Sequence, residues 1–318
     1  MGTSVIPRVV YHYTSMDAML GIVEGCIWAT NIRYLNDVSE YDHFLRLVRE
    51  RLPQLTNSHG LRHPDLVARI VARRKAHLPV YMDLPFVASF SHERDSLAHW
   101  RSYCPQGNGV CIGFRSASIR GAFLEKAEKG VCLAGFWPVT YLGSDDLKAL
   151  DGMINQSLSH SIRFIEEMES APGAIASDRD RVDLLRAEFE MRAGRTKHKS
   201  FMHEREYRLI ALLFAQNELV SFRASRSTLV PYLKMRLPGP DQANRSSPRA
   251  RASTVQFIDN VTIGPTPHPT LSEDAVLGLL RSKGFNPSVG GLGPFGIAAK
   301  LGPQPEPIHV TARREPTD

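Results

Sequence analysis

Three short stretches hold side chains whose types and spacing could do chemistry. The first is Tyr11-His12-Tyr13-Thr14-Ser15, inside an aromatic and β-branched run that reads as a strand over 9–14. On a strand, His12 and Thr14 point to one face. A strand end that feeds a helix presents an imidazole, a hydroxyl and free helix N–H groups together, a set that suits ribose hydroxyls and an amide. The same residues also fit a core histidine beside an ordinary Ser15 helix cap. The second stretch is Ser89-Phe90-Ser91, followed by Trp100 and Tyr103. Two hydroxyls two apart on a strand share a face, and two rings three apart on a helix do likewise. The rings could stack on a flat ligand or anchor the core. The third is Glu204-Arg205-Glu206-Tyr207-Arg208. Adjacent carboxylates repel, so one should resist ionisation unless cations such as Arg205 and Arg208 compensate. That profile belongs equally to a catalytic carboxylate and to a charged strand end.

Other patterns are excluded on physical grounds. Gly291-Leu292-Gly293-Pro294-Phe295-Gly296 spells a dinucleotide fingerprint. Pro294 interrupts it, and neither the required helix nor the distal acidic residue follows. There is no phosphate-binding GxxxxGK[ST] loop. His198 and His203 are five apart rather than the four that place two histidines on one helical face, so no metal is expected.

The elements that must hold these residues can be read along the chain. Ser15 caps a helix to about Glu24, stopped by Gly25, and a short strand follows over 26–30. Asn36 and Asp37 open a helix that should end near Leu52, before Pro53. A further helix is expected over 63–78. Strands are expected over 85–91, 109–114, 131–142, 207–214, 219–222, 228–235 and 255–263. Helices are expected over 96–103, 145–200 with a break near Pro172-Gly173, and 272–283. Residues 237–252 read as a loop, and Pro-rich 302–318 as a disordered tail. The expectation is one α+β domain over 1–301, with helical insertions at about 37–80 and 145–200.

Composition sets the outer bounds. The chain has 318 residues, 42% hydrophobic and 23% charged. That is ordinary for a globular protein, and long enough to bury a core without metal or disulfides. No apolar run approaches the length of a membrane span. A formal charge of +6 permits an anionic partner without requiring one. The cysteines at 26, 104, 111 and 132 form no CxxC pair and read as reduced, buried thiols. No signal pattern opens the chain, and Ile6 breaks the myristoylation pattern, so a cytoplasmic protein is expected.

Taken together, and in order, these motifs resemble the bacterial family called domain of unknown function 2971. The resemblance spans about residues 9–290 and rests on Tyr11–Ser15, Tyr34-Leu35-Asn36-Asp37 with Glu40, Ser89–Ser91, Trp100 with Tyr103, Gly109-Val110-Cys111-Ile112-Gly113-Phe114, and 204–210. A looser similarity links His12 and Thr14, Ser89-Phe90-Ser91 and Glu204-Arg205-Glu206 to DarT-type and PARP-like ADP-ribosyltransferases. His12 stands where the two-glutamate class usually has an arginine, and the distance from Ser91 to Glu204 exceeds that of compact toxins.

That second similarity implies a split mixed β-sheet core with helical insertions, and NAD as substrate. It implies a catalytic Glu206 that stabilises an oxocarbenium-like state, with Glu204 orienting or deprotonating the acceptor. His12, Tyr13 and Thr14 would hold the adenosine-side ribose or the carboxamide, with Ser89 and Ser91 bracing the site. Tyr34, Trp100 or Tyr103 would stack on the ligand, and Arg33 would meet the pyrophosphate near Asn36. The acceptor is an unknown macromolecule. Nucleic acid is one option, from the cations Arg192, Arg195, Lys197, Lys199 and Arg205 and from Arg245, Arg249 and Arg251. A bacterial toxin or phage-defence effector with a neutralising or regulatory partner is the matching role. The alternatives are a non-catalytic nucleotide or protein sensor, or a hydrolase (an NAD glycohydrolase or a nuclease) using His12 or His99 with Glu206.

Overall fold

A computed structural model of the chain describes residues 6–35, 39–55, 84–104, 107–124, 132–169, 178–213, 217–225, 227–238, 257–289 and 308–312. The helix expected over 63–78, the loop expected over 237–252 from residue 239 onward and the glycine-rich 291–296 lie outside them, as does Asn36.

Local sequence accounts for most of the elements. Strand β1 (Val9–Ser15) runs into helix α1 (Met16–Ile22), whose first turn is capped by the Ser15 hydroxyl accepting from Ala18 N–H. Gly25, at φ +78°, makes the left-handed turn into β2 (Cys26–Asn31). Helix α2 (Ser39–Leu55) passes through Pro53 instead of ending before it. Next come β3 (Phe86–Ser91), α3 (Leu97–Tyr103) capped by Ser96, β4 (Gly109–Arg115), α4 (Ser116–Arg120) and β5 (Phe123–Leu124). The strand expected over 131–142 is two, β6 (Cys132–Pro138) and β7 (Thr140–Leu142).

Helices α5 (Leu147–Glu169) and α6 (Asp178–Gly194) fill the long insertion. Its last residues are not helical, which corrects the reading of 145–200. Thr196–His198 form β8, parallel to β7, and Lys199–Glu204 make a 3-10 turn. Then follow β9 (Glu206–Leu213), β10 (Ser221–Ala224), β11 (Leu229–Arg236), β12 (Ile258–Ile263), α7 (Pro269–Ser282) and β13 (Pro287–Val289). Residues Ile308–Ala312 form β14, parallel to β12 and β13, so part of the expected disordered tail adds a strand to the sheet.

The molecule is α+β, with one large and mostly antiparallel sheet. Its strand path is β10-β11-β2-β3-β1-β4-β12-β14-β13, with β9 and β6 branching from β3. The branch arises because β3 has more neighbours than a strand has edges. One edge pairs with β9 along its whole length, from Phe86↔Ala211 to Ser91↔Glu206. The other edge is shared: Val87 and Phe86 pair with Thr30 and Asn31 of β2, while Ser91 pairs with Tyr11 of β1. Along Ala88–Phe90 that edge pairs with neither strand, and β1 and β2 diverge to form a fork.

Side-chain alternation along β3 and β9 separates two cores. Phe86, Ala88, Phe90, Leu209, Ala211 and Leu213 join the main core with Ile112, Phe114, Leu233 and Met235. Val87, Ile210 and Leu212 face a second core supplied by α2, α5 and α6, including Phe44, Val48, Ile154 and Phe189. The helical insertion thus covers the outer half of this second face. Further along the same face stand Ser89, Ser91, Glu206 and Arg208, where the apolar pattern gives way to charge.

Glu190 of α6 is a buried acid in this helical layer, and its Oε2 has no hydrogen-bond partner. Arg186 Nε lies 3.8 Å from the other oxygen, Oε1, too far for a hydrogen bond. Burial raises the carboxyl to about 8, above the ordinary 4.5. Folding therefore favours the protonated form. That contribution is complete below about pH 4.5 and fades as pH rises toward 8. Glu190→Gln should remove this dependence, which is about 1.4 kcal/mol per pH unit within the window. Urea denaturation of both proteins across the window would show parallel profiles if the reading were wrong.

Candidate functional site

The fork between β1 and β2 opens into a cleft of about 690 Å³ floored by Val87–Ser91. Tyr11–Ser15 form one wall, and Cys26, Trp28 and Thr30 of β2 form the other. Tyr34, His99, Tyr103, Lys197, Glu204, Glu206, Arg208 and Arg223 complete it.

His12 bridges the unpaired edge of β3. Its Nδ1 donates to Ser89 C=O at 2.8 Å, replacing a ladder hydrogen bond that β1 has moved too far away to make. The ring rests against Phe90 and Phe114. Burial pushes the imidazole below its ordinary pKa despite the Ser89 hydrogen bond. A neutral ring with Nδ1–H committed leaves Nε2 as an acceptor. Thr14 lines the same wall. Tyr13 contributes its ring, but its hydroxyl is occupied, donating to Glu93 C=O at 2.8 Å and accepting from Ser96 N–H at 3.0 Å.

The charged end of the cleft is built where the 3-10 turn meets β9. Arg205 sits between them at φ +46°, in the left-handed region. This turns the chain so that Glu204 ends the 3-10 turn and Glu206 opens β9. The two carboxylates do not share a strand face, because Glu204 belongs to the 3-10 turn and only Glu206 to the strand. They meet through Lys197 of β8, whose Nζ is 2.7 Å from Glu204 Oε2 and 3.3 Å from Glu206 Oε2. Arg208 grips Glu206 with Nε at 2.7 Å from Oε1 and Nη2 at 3.1 Å from Oε2, and donates through Nη1 to Gly194 C=O. Tyr103 hydroxyl lies 3.2 Å from both Glu204 oxygens.

Two carboxylates and two cations balance in charge, which makes their burial tolerable. Glu206 is only 6% exposed, and burial alone would raise its pKa. Arg208 and Lys197, with a hydrogen bond from Ser89, outweigh burial and hold the carboxyl at about 2. Arg205 plays no part in this balance. Its side chain turns outward and pairs with Glu93 at 2.6 Å.

Ser89 and Ser91 both line the cleft. Ser91 accepts from Glu93 N–H at 2.9 Å and donates to Glu204 C=O at 2.8 Å, so it fixes the backbone under the carboxylates.

The structure also separates some of the expected set. Trp100 is 5% exposed and its indole N–H donates to Asp95 at 2.7 Å. It packs with Tyr13 and Cys111 as a core anchor and not as a ligand platform. The same helix instead presents His99 and Tyr103 to the cleft. His99 stacks on Tyr13 at 4.9 Å, and its enclosed Nδ1 has no hydrogen-bond partner. Arg33 is exposed and does not line the cleft.

The cation run suggested for an acceptor is also engaged. Arg192 pairs with Glu188, Lys199 with Asp145, and Arg195 lies over Trp137. Arg245, Arg249 and Arg251 lie outside the described residues. Lys197 is the participant that sequence reasoning missed as a site residue. Its neighbours read as helix, and no spacing ties it to Glu204 or Glu206 before the parallel pairing of β7 with β8 is known.

The four cysteines are unpaired, and burial raises the thiols of Cys104 and Cys132 to about 12 and about 11. Such thiols are poor nucleophiles near neutrality. No helix among the described residues is long and apolar enough to cross a membrane.

The segment from α3 to β9 carries the charged end of the cleft. It matches the model of a protein family of unknown function (DUF2971) over residues 99–209. The DUF2971 match begins at His99 and takes in Tyr103, Lys197, Glu204, Glu206 and Arg208, while His12, Thr14 and the β2 wall lie outside it. It supports the resemblance to that family over a shorter stretch than the motifs suggested. No curated protein and no solved structure matches the chain.

Proposed function

We propose that the cleft binds NAD and transfers its ADP-ribose to a macromolecular acceptor. The observation that carries this reading is the fork itself, which gathers His12, Thr14, Ser89 and a carboxylate held ionised, Glu206, around one cavity. In the reaction the ribose C1′–nicotinamide bond breaks and its electron pair leaves with nicotinamide. The acceptor's lone pair then forms the new bond to C1′. Positive charge grows on the ribose between these events, and a preorganised anion beside it lowers the barrier. Glu206 fits that role because Arg208 and Ser89 fix its position while burial keeps water from screening it.

Glu204, less tightly held, would receive or direct the acceptor's proton. His12 Nε2, as an acceptor, suits a ribose hydroxyl or the carboxamide N–H₂. Tyr34, 39% exposed at the cleft mouth, remains as a stacking ring.

A second reading, direct hydrolysis of NAD, is favoured by one observation. The partly orphaned His99 lines the cleft near the Glu204 and Glu206 carboxylates, and burial keeps its ring largely neutral against their pull. A neutral imidazole there could take a proton from water.

The test is nicotinamide release from NAD by purified protein, with and without bacterial lysate. Release that needs lysate is the expected result. Release without lysate moves the assignment to hydrolysis. Absence of release, together with no rise in melting temperature on adding NAD, overturns both readings.

A further inference from the structure

The two-stranded ribbon of β7 and β8 has two working faces. Its register pairs Tyr141 with Lys197 and Leu142 with His198. Alternation along each strand sends the first pair one way and the second pair the other. Tyr141 and Lys197 meet the charged cluster. The Tyr141 hydroxyl accepts from Glu206 N–H at 2.8 Å, and Lys197 bridges Glu204 and Glu206. Leu142 and His198 meet helix α2, where His43 is buried against both. His43 Nε2 donates to Leu142 C=O at 2.9 Å, and its ring lies edge-on to the His198 ring with centroids 5.2 Å apart. His198 in turn caps the 3-10 turn that carries Glu204, its Nδ1 accepting from Ser200 N–H at 3.2 Å.

The hydrogen bonds of His43 fit only a neutral ring. A carbonyl on Nε2 requires a proton there. Arg46 Nη2, 3.3 Å from Nδ1, is a donor, so Nδ1 must accept. A proton added to Nδ1 would set donor against donor, and cation against cation. Burial, with His198 and Arg46, holds the imidazole below its ordinary pKa, against the pull of the Leu142 hydrogen bond and of Glu50. Glu50 is exposed, two turns further along α2. Lys199, the residue after His198, is paired with Asp145 at 2.6 Å. Helix α5 also packs on α2, but its Asp151 is taken by Arg51, beyond Glu50.

We propose that His43 is a pH-operated catch that holds the β7–β8 ribbon on α2 and so keeps Lys197 and Tyr141 on the two glutamates. Neutral His43 closes the catch. In acid the ring takes its proton most easily with the ribbon undocked, where Nδ1 no longer faces Arg46 alone and water can solvate the charge. Undocking carries Lys197 away from Glu204 and Glu206, and the cleft loses the cation that balances them. The sign follows from linkage. A histidine whose pKa is lowered in the closed form stabilises that form fully above the ordinary 6.5, and the contribution is lost as pH falls below it. The proposal concerns the assembly of the cluster and does not depend on NAD chemistry.

The test is amide hydrogen exchange on the full chain without NAD, corrected for the intrinsic effect of pH on exchange. One unit below the ordinary value, the proton favours the open form by about tenfold. Protection over 140–142 and 196–198 should therefore fall by about tenfold between about pH 7.5 and 5.5, while β3 and β4 keep theirs. His43→Gln keeps a donor for Leu142 C=O and has no ring to titrate, so its ribbon should stay protected across the range. Arg46→Met removes the cation facing Nδ1 and should shrink the response of the parent. It serves as the second arm if His43→Gln fails to fold. A response that persists in full in either folded variant overturns the proposal. So does a parent ribbon whose protection is the same at both pH values, or a loss of protection shared equally by β3 and β4, which marks global unfolding.

Discussion

Arg208→Met should destabilise the folded chain by about 3–5 kcal/mol. Arg208 is 1% exposed and supplies the bidentate partner of Glu206. Without it, Glu206 stays buried with Lys197 as its nearest compensating cation, and Lys197 is shared with Glu204. The Gly194 carbonyl loses its donor as well. Urea denaturation read at constant m-value gives the number directly. A loss under about 1 kcal/mol would mean that water or a rearranged Lys197 compensates the charge, and that the cluster is looser than its distances suggest.

The double variant Arg208→Met with Glu206→Leu should recover much of the loss, since removing both members of a buried pair leaves no orphan charge. Acid should act in the same direction as Arg208→Met. The Glu206 carboxyl titrates at about 2 in the fold against an ordinary 4.5, so its stabilisation is complete above the ordinary value. That stabilisation is lost as pH falls between the two, by an amount of the order of 3 kcal/mol.

Glu206→Gln should reduce nicotinamide release by about 10²–10³-fold, with NAD still raising the melting temperature. The amide keeps the shape of the side chain and removes the charge that faces the developing cation. Glu204→Gln should cut release less than transfer, because Glu204 acts on the acceptor and not on the departing nicotinamide. Both variants leave Lys197 with one carboxylate fewer, so rates belong to temperatures at which circular dichroism shows each protein folded. A Glu206→Gln enzyme with undiminished release would remove Glu206 from the chemistry and leave it as an internal counter-ion for Arg208.

Much of the architecture was legible because it is local. The Ser15 cap, the Gly25 turn and the alternation in β3 and β9 all follow from residue types a few positions apart. The stretch 195–200 reads as helix from sequence because its charged and polar residues suit a helix equally well. It becomes strand and 3-10 turn only because Thr196–His198 find a parallel partner in Thr140–Leu142. Trp100 illustrates the same limit. The spacing of Trp100 and Tyr103 on a helix is right for a shared face, but a seven-residue helix packed by its Trp100 side turns His99 and Tyr103 toward the cleft.

The sequence by itself determined the α+β class, the strands that carry His12, Ser89 and Glu206, and the presence of acids and cations near one another around residue 205. Those properties depend on propensity, periodicity and short spacing, which a linear chain displays. Only the tertiary structure decided that β3 is shared between β1 and β2, and hence that a cleft exists. It alone decided that Lys197 joins the carboxylates and that Arg205 leaves them. Each depends on which edges pair and which charges are buried together. Those choices are made by contacts between residues far apart in the chain, such as His12 with Ser89 and Tyr103 with Glu204.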